Sequence, residues 1–169
     1  MPTATAVMVG MGDIHVAKGD AAYNCLGLGS CIGLVLFDPT TQVSGMIHVM
    51  LPETFPGRPV DKVGKYADVG VPELVRQMTA IGAVSSRLLA AYAGGAQVFK
   101  FGAGVESKLD VGARNTIAVT EQIKKLGCKV LATDTGGNCG RTVSVTIGDG
   151  NVRVRTVNNG DKLLCNLRG

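Results

Sequence analysis

Nucleophilic chemistry at neutral pH needs a thiol, hydroxyl or amine with a base beside it, and this 169-residue sequence offers five cysteines but only two histidines to pair with them. One of each lies in a single short stretch. Cys31 closes the run Leu26-Gly27-Leu28-Gly29-Ser30-Cys31, and His48 follows within Gly45-Met46-Ile47-His48-Val49-Met50-Leu51-Pro52. Between them Asp38-Pro39-Thr40-Thr41 has the residue preferences of a type I turn, Asp first and Pro second. A hairpin closed by that turn sets Phe37 opposite Gln42, and so Cys31 opposite His48. Directly opposed β-carbons are about 4.5 to 5.5 Å apart, within reach for an imidazole to take a thiol proton. A slip of one residue puts the two side chains on opposite faces, which exposes the expectation to a simple structural test.

The pair has a purpose, because a free thiol with a pKa near 8.5 is mostly protonated at neutral pH and gains nucleophilicity when a base accepts its proton. The thiolate then attacks a carbonyl. The Gly27, Gly29 and Ser30 segment leaves room for substrate to approach the backbone, and the amides of Ser30 and Cys31 are the candidate oxyanion donors. Taken alone, a cysteine at the start of an apolar strand is more often a small buried hydrophobe; the histidine in register strengthens the chemical reading without overturning that one.

Other chemistries fit less well. Two histidines without matching cysteine or carboxylate spacing argue against a metal site, and no cofactor is implied. Gly27-Leu28-Gly29 lacks the third glycine and the following helix of a dinucleotide loop. Asp134-Thr135-Gly136 supplies one carboxylate where aspartic proteases need two, so it reads as a Gly-rich turn after a strand. His15 reads as a strand surface residue, and Cys128, Cys139 and Cys165 have no paired base in view. Arg141, Lys100, Phe55 and Phe101 read as surface groups, with partner contact as the alternative.

The elements that must position Cys31 and His48 are mainly strands. Thr5 to Val9, Ile14 to Ala17, Cys31 to Phe37 and Val43 to Met50 read as strands, followed by a Pro- and Gly-rich loop from Pro52 to Gly64. Tyr66 to Ile81 has helical apolar spacing despite Gly70 and Pro72, and Ala113 to Leu126 repeats it with Gly127 as a stop. Arg87 to Ala93, Lys129 to Thr133, Thr142 to Ile147 and Val152 to Val157 complete the strands, the last two joined by Gly148-Asp149-Gly150. Hairpins this short favour antiparallel pairing, so the expected class is α+β with a layered mixed, mostly antiparallel sheet structure and two main helices. Residues 1–169 fit one domain.

Composition narrows the partners. Aromatic residues are 4% with no Trp, so the core is aliphatic. The net charge of +4 comes from scattered Lys and Arg with no aromatic interleaving, which does not suggest nucleic acid. No secretory signal opens the chain, and its longest apolar stretch, Leu26 to Phe37, is glycine-interrupted and too short for a bilayer; the expectation is a cytoplasmic protein with reduced thiols and no membrane insertion.

Several motifs in consistent order carry a resemblance. LGLGSC ending at Cys31, HVMLP from His48, GKYAD at Gly64 to Asp68, AGGA at Ala93 to Ala96, GARN at Gly112 to Asn115 and DTGGN at Asp134 to Asn138 together resemble the CheD family of chemoreceptor glutamine deamidases, over roughly residues 8 to 155. The resemblance implies a cysteine hydrolase that converts glutamine side chains of methyl-accepting chemotaxis receptors to glutamate and ammonia, with the phosphatase CheC as a binding partner. It also implies a layered fold like that of cysteine hydrolases which include a toxin deamidase, with Cys31 as nucleophile and His48 as base. The family's third catalytic residue is a threonine where this chain has Cys25, a weaker hydrogen-bonding group, leaving either a backbone carbonyl near residue 25 to orient His48 or a loosened triad. The alternative function is an adaptor that binds receptor and CheC with weak or no catalysis.

Overall fold

A computed structural model describes residues 5–97, 110–157 and 159–169; Lys100 and Phe101 lie outside these. Two five-stranded sheets pack face to face, and two helices cover the outer face of one of them. The helix-covered sheet has the order β2 (Ile14–Lys18), β5 (Val43–Val49), β4 (Ile32–Asp38), β6 (Leu89–Gly94), β7 (Lys129–Thr135). The other runs β1 (Ala6–Met8), β3 (Ala22–Leu28), β8 (Arg141–Thr146), β9 (Asn151–Thr156), β10 (Gly160–Asn166). All pairings are antiparallel except β1 with β3 and β6 with β7. This is the expected α+β class, with two sheets instead of one.

Strand alternation assigns the layers. Ile32, Leu34, Leu36, Val43, Ile47 and Val49 share one face and pack under α1 (Ala67–Ala80) and α2 (Val111–Leu126) with Leu74, Met78, Val119 and Ile123. The opposite face carries Val35, Phe37 and Met46 against Tyr23, Cys25, Val143 and Val152 of the second sheet. Both faces of β4 and β5 are thus buried.

Two strands escape the sequence reading. In β3, Tyr23 and Cys25 point into the core, and an irregularity before Leu28, with Gly27 at φ 62, turns Leu28 inward as well. The bulge breaks the alternation that identifies a strand, so its glycines read as loop. β10 is an edge strand, half exposed and irregular between Leu163 and Cys165. The Gly70 and Pro72 of α1 do not interrupt it: a Cβ at Gly70 would lie 2.8 Å from the Val63 carbonyl oxygen, so the glycine permits a close approach that fixes the helix start.

The β4–β5 register differs from expectation. Phe37 faces Ser44 rather than Gln42, and it is Gly33 that faces His48. Gln42 adopts φ 64 and donates its N–H to the Asp38 carbonyl at 2.9 Å, which lengthens the turn. The buried Asp38 carboxylate caps this loop through the N–H groups of Thr40 (2.9 Å) and Thr41 (3.3 Å), and accepts from Val84 N–H (2.9 Å) and the Arg87 guanidinium (3.1 Å). The slip is two residues, an even number, so every side chain keeps its face.

Burial by itself would raise the Asp38 pKa, but the hydrogen bonds from Arg87, Val84, Thr40 and Thr41 outweigh it and hold the carboxyl well below the usual range. A depressed folded-state pKa stabilises the fold above the unfolded value of about 3.9, and the contribution fades as pH falls through the folded value. Asp38→Ala is expected to cost about 2 to 3 kcal/mol at neutral pH, seen as a Tm lower by roughly 4 to 12 °C, with the gap to wild type narrowing in strong acid. An unchanged Tm at neutral pH contradicts this account.

Candidate active site

Cys31 lies where the chain crosses from one sheet to the other. β3 ends at Leu28 and β4 begins at Ile32, so Gly29, Ser30 and Cys31 are the entire connection. Its three carbonyls are all held from behind. Ala96 N–H donates to Gly29 O (2.8 Å), Asn115 Nδ2 to Ser30 O (2.9 Å) and Gly95 N–H to Cys31 O (2.9 Å). Among the described residues no backbone carbonyl accepts from the N–H of Ser30 or Cys31. The AGGA and GARN segments are therefore the straps of this crossover, and their glycines are steric requirements: a Cβ on Gly112 would sit 2.4 Å from Ala96 O.

His48, 3% exposed, is fixed in main chain and ring. Its carbonyl accepts from Gly12 N–H (2.8 Å) and its own N–H donates to Asp13 O (3.2 Å), both in the loop before β2. The ring Nδ1 is 2.9 Å from the Val9 carbonyl oxygen, which only accepts, so Nδ1 carries the proton and Nε2 presents a lone pair. Nε2 is buried and has no hydrogen-bond partner.

With Gly33 directly opposite His48, Cys31 is its diagonal neighbour on the same, inter-sheet face, a relation that spans about 7 to 8 Å between backbones and stays within reach of longer side chains. The direct opposition expected from sequence is corrected: no hydrogen bond joins Cys31 Sγ to Nε2 in this resting arrangement. The position facing His48 is filled by a residue with no side chain. A Cβ at Gly33 would lie 3.2 to 3.3 Å from Leu28 Cδ1, Met46 Cε and Cys25 Sγ.

Cys25 is fully buried beneath the pair. Its Sγ donates to the same Val9 carbonyl (3.5 Å) that receives His48 Nδ1, and lies 3.9 Å from Met46 Sδ. Of the two arrangements left open by the sequence, the backbone carbonyl is the one found: Val9, held beside Asn24 by β1–β3 pairing, meets the ring directly. Burial, then the nearby Cys31 and Asp13, pushes the Cys25 thiol up to about 12, so it is a neutral packing group. In the folded protein, iodoacetamide at mildly alkaline pH is expected to label the part-exposed Cys31 and spare Cys25, as read by peptide mass mapping. Native-state labelling of Cys25 contradicts its enclosure.

The electrostatics favour a neutral pair at rest. Burial raises the Cys31 thiol above its ordinary value. Burial also lowers His48, opposed in part by the Val9 carbonyl and the Asp13 carboxylate, leaving the imidazole uncharged and able to accept a proton. The other sequence candidates fall elsewhere. His15 is half-buried on β2 opposite Met46. Asp134 pairs with Arg141 (3.5 Å) and Lys162 (3.2 Å). Arg141 itself is no surface charge: it is 8% exposed and donates to Gly94 O (2.9 Å) and Gly136 O (2.7 Å), bracing the AGGA turn from the far side. Phe55 is exposed, with the Arg58 guanidinium 5.6 Å from its ring. Among the described residues no group of three potential metal ligands comes together.

Sequence reasoning missed the Val9 carbonyl, Asn115 and Arg141 as parts of this arrangement. A backbone acceptor has no side-chain signature. Asn115 did leave one: it stands in the stripe Asn115, Val119, Ile123 that α2 buries, a polar group at an apolar position.

Comparison with known proteins places the chain among similar sequences over most of its length. The family described as CheD chemotactic sensory transduction matches residues 50–156. A protein of Thermotoga maritima named chemoreceptor glutamine deamidase CheD is 43% identical over 157 residues, 92% of this chain and 95% of its own. Proteins named probable chemoreceptor glutamine deamidase CheD are 42% identical in Lachnoclostridium phytofermentans, covering 89% of this chain and 93% of theirs, and 42% identical in Desulfitobacterium hafniense, covering 94% and 98%.

Proposed function

Since the chain belongs to the CheD family, we propose that it is a cysteine hydrolase that deamidates glutamine side chains of methyl-accepting chemotaxis receptors, with Cys31 as nucleophile and His48 as base. The observation that carries the catalytic assignment is the state of His48: a neutral ring, oriented by Val9 O, whose unpartnered Nε2 is on the face that also bears Cys31. The glutamine substrate is taken from the relatives named chemoreceptor glutamine deamidase, and a neutral thiol–imidazole pair is suited to the carbonyl of such an amide.

The steps follow from the geometry. As substrate excludes water, Nε2 takes the Cys31 proton and the thiolate adds to the amide carbon. The developing oxyanion is received by the Ser30 and Cys31 N–H groups, whose peptide carbonyls, Gly29 O and Ser30 O, are tied back to Ala96 and Asn115. His48 then gives its proton to the departing nitrogen, the carbon–nitrogen bond breaks and ammonia leaves a thioester. Water, deprotonated by His48, adds to the thioester, and the carbon–sulfur bond breaks to release glutamate and restore the thiol. Cys25 takes no covalent part; it packs the floor and shares the carbonyl that orients the ring.

Co-expression with a receptor cytoplasmic fragment, followed by mass spectrometry, is expected to show gains of about 1 Da at specific glutamines, the amide-to-acid exchange that thioester hydrolysis produces. Receptor binding without any such gain assigns the protein instead to the adaptor role. No helix among the described residues is long and apolar enough to cross a membrane. We place the protein's work in the cytoplasm as one domain spanning residues 1–169, with CheC as regulatory partner, testable by co-purification.

The pH profile is fixed by the direction of the His48 shift. The imidazole must be neutral to accept the thiol proton, and burial lowers its pKa, so kcat/KM is expected to hold through neutral pH and to fall only below the ordinary imidazole value of about 6.5. An acid limb centred on the alkaline side of neutrality contradicts the assignment.

A further inference from the structure

We infer that Asn115 is the positioning residue that sets the distance between the Cys31 and His48 strands; the inference rests on the deamidase reading above for its catalytic meaning. β4–β5 pairing ends at Ile32 opposite Val49, and the next rung would join Cys31 to Met50. The strands part there instead. The N–H groups of Met50 and Leu51 both turn away to the Lys65 carbonyl, at 2.8 Å each. Into the gap α2 projects Asn115, 0% exposed, whose Nδ2 donates to Ser30 O and to Met50 O, each at 2.9 Å.

One carboxamide thus spans the residue before the thiol and the strand end beyond the imidazole. Asparagine is suited to this and its relatives are not: both amide hydrogens leave one nitrogen on a short stem, so two carbonyls are held at a fixed separation. Aspartate has no hydrogen to donate, and glutamine carries an extra methylene that the packed interior does not accommodate. A buried amide inside an apolar stripe is costly unless it is hydrogen-bonded; here both hydrogens are used, while Oδ1 has no partner among the described residues. The gap matters because Cys31 and His48 are diagonal neighbours rather than opposed ones. Their approach depends on how far the two strand ends diverge, and Asn115 is the contact that limits the divergence.

The test uses Asn115→Ala, with His48→Ala and the double variant, in the full chain. Deamidation of a receptor fragment by Asn115→Ala is expected to lose about 10- to 100-fold in kcat with KM little changed, as for a displacement near 1 Å. A structural role alone can lower activity, so the deciding readout is the rate of Cys31 alkylation by iodoacetamide across pH. His48 accelerates that alkylation only if the pair is in reach; Asn115→Ala is therefore expected to shift the profile to that of His48→Ala, and the double variant to add nothing further. Additive effects of the two substitutions overturn the inference. If Asn115→Ala does not fold, Asn115→Ser, which keeps one donor, is expected to give an intermediate profile, and a profile equal to wild type overturns it. Alkylation needs no receptor, so coupling without ammonia release refutes the deamidase reading and leaves the clamp, whereas ammonia release without coupling does the reverse.

Discussion

Cys31→Ala abolishes ammonia release from a receptor fragment, by a factor of at least about a thousand, while circular dichroism and Tm stay near those of wild type: this is the largest effect expected of any side chain here. Cys31 is only part-buried, at the mouth of the inter-sheet space, and its carbonyl rather than its sulfur is what the straps hold. Removing the sulfur therefore removes the chemistry and spares the scaffold. His48→Ala should lose a comparable factor, and the double variant no more than either single one, because nucleophile and base act as a unit. Residual turnover in Cys31→Ala within tenfold of wild type would falsify the assignment and send attention to the other thiols.

The second large effect is expected from a residue that performs no chemistry. Gly94 has φ 118, and a Cβ there would meet the Cys31 carbonyl oxygen at 2.1 Å and the Cys31 carbonyl carbon at 3.1 Å. Neither neighbour is a flexible side-chain end; both belong to the backbone that presents the thiol. Gly94→Ala is expected to cost more than about 4 kcal/mol or to yield insoluble chain, and any folded fraction to be inactive, since relief requires displacing Cys31. Gly19→Ala is the control. Its φ of 87 is strained for alanine, but nothing lies within 4 Å of the added carbon, so a cost of about 1 to 2 kcal/mol with activity retained is expected. Chemical denaturation of both variants distinguishes collision from strain; equal costs contradict the steric account.

These two positions show what the sequence made legible. Side-chain chemistry in a regular element was readable: the alternation of Ile32, Leu34 and Leu36 against Val43, Ile47 and Val49 assigned the buried face, and placed Cys31 and His48 together on the other. The family was readable too, and relatives 42% and 43% identical over most of the chain carry its name. What was not readable depends on backbone detail. The register moved by two because Gln42 took a left-handed conformation that turn preferences assign to glycine or asparagine. β3 was hidden by a bulge, and with it the fact that Cys25 belongs to the second sheet. Arg141 looked like solvated charge because no local pattern says that its guanidinium will find two carbonyls, Gly94 O and Gly136 O.

The carbonyl that holds the His48 ring belongs to Val9, the residue after β1 whose N–H is bonded to Asn24 O of the second sheet, whereas His48 belongs to the first. Neither layer alone is competent. A chain emerging from the ribosome, or one opened by heat at the seam, has a thiol and an imidazole but no fixed tautomer to join them. Loss of turnover on heating should consequently track separation of the layers rather than melting of either one.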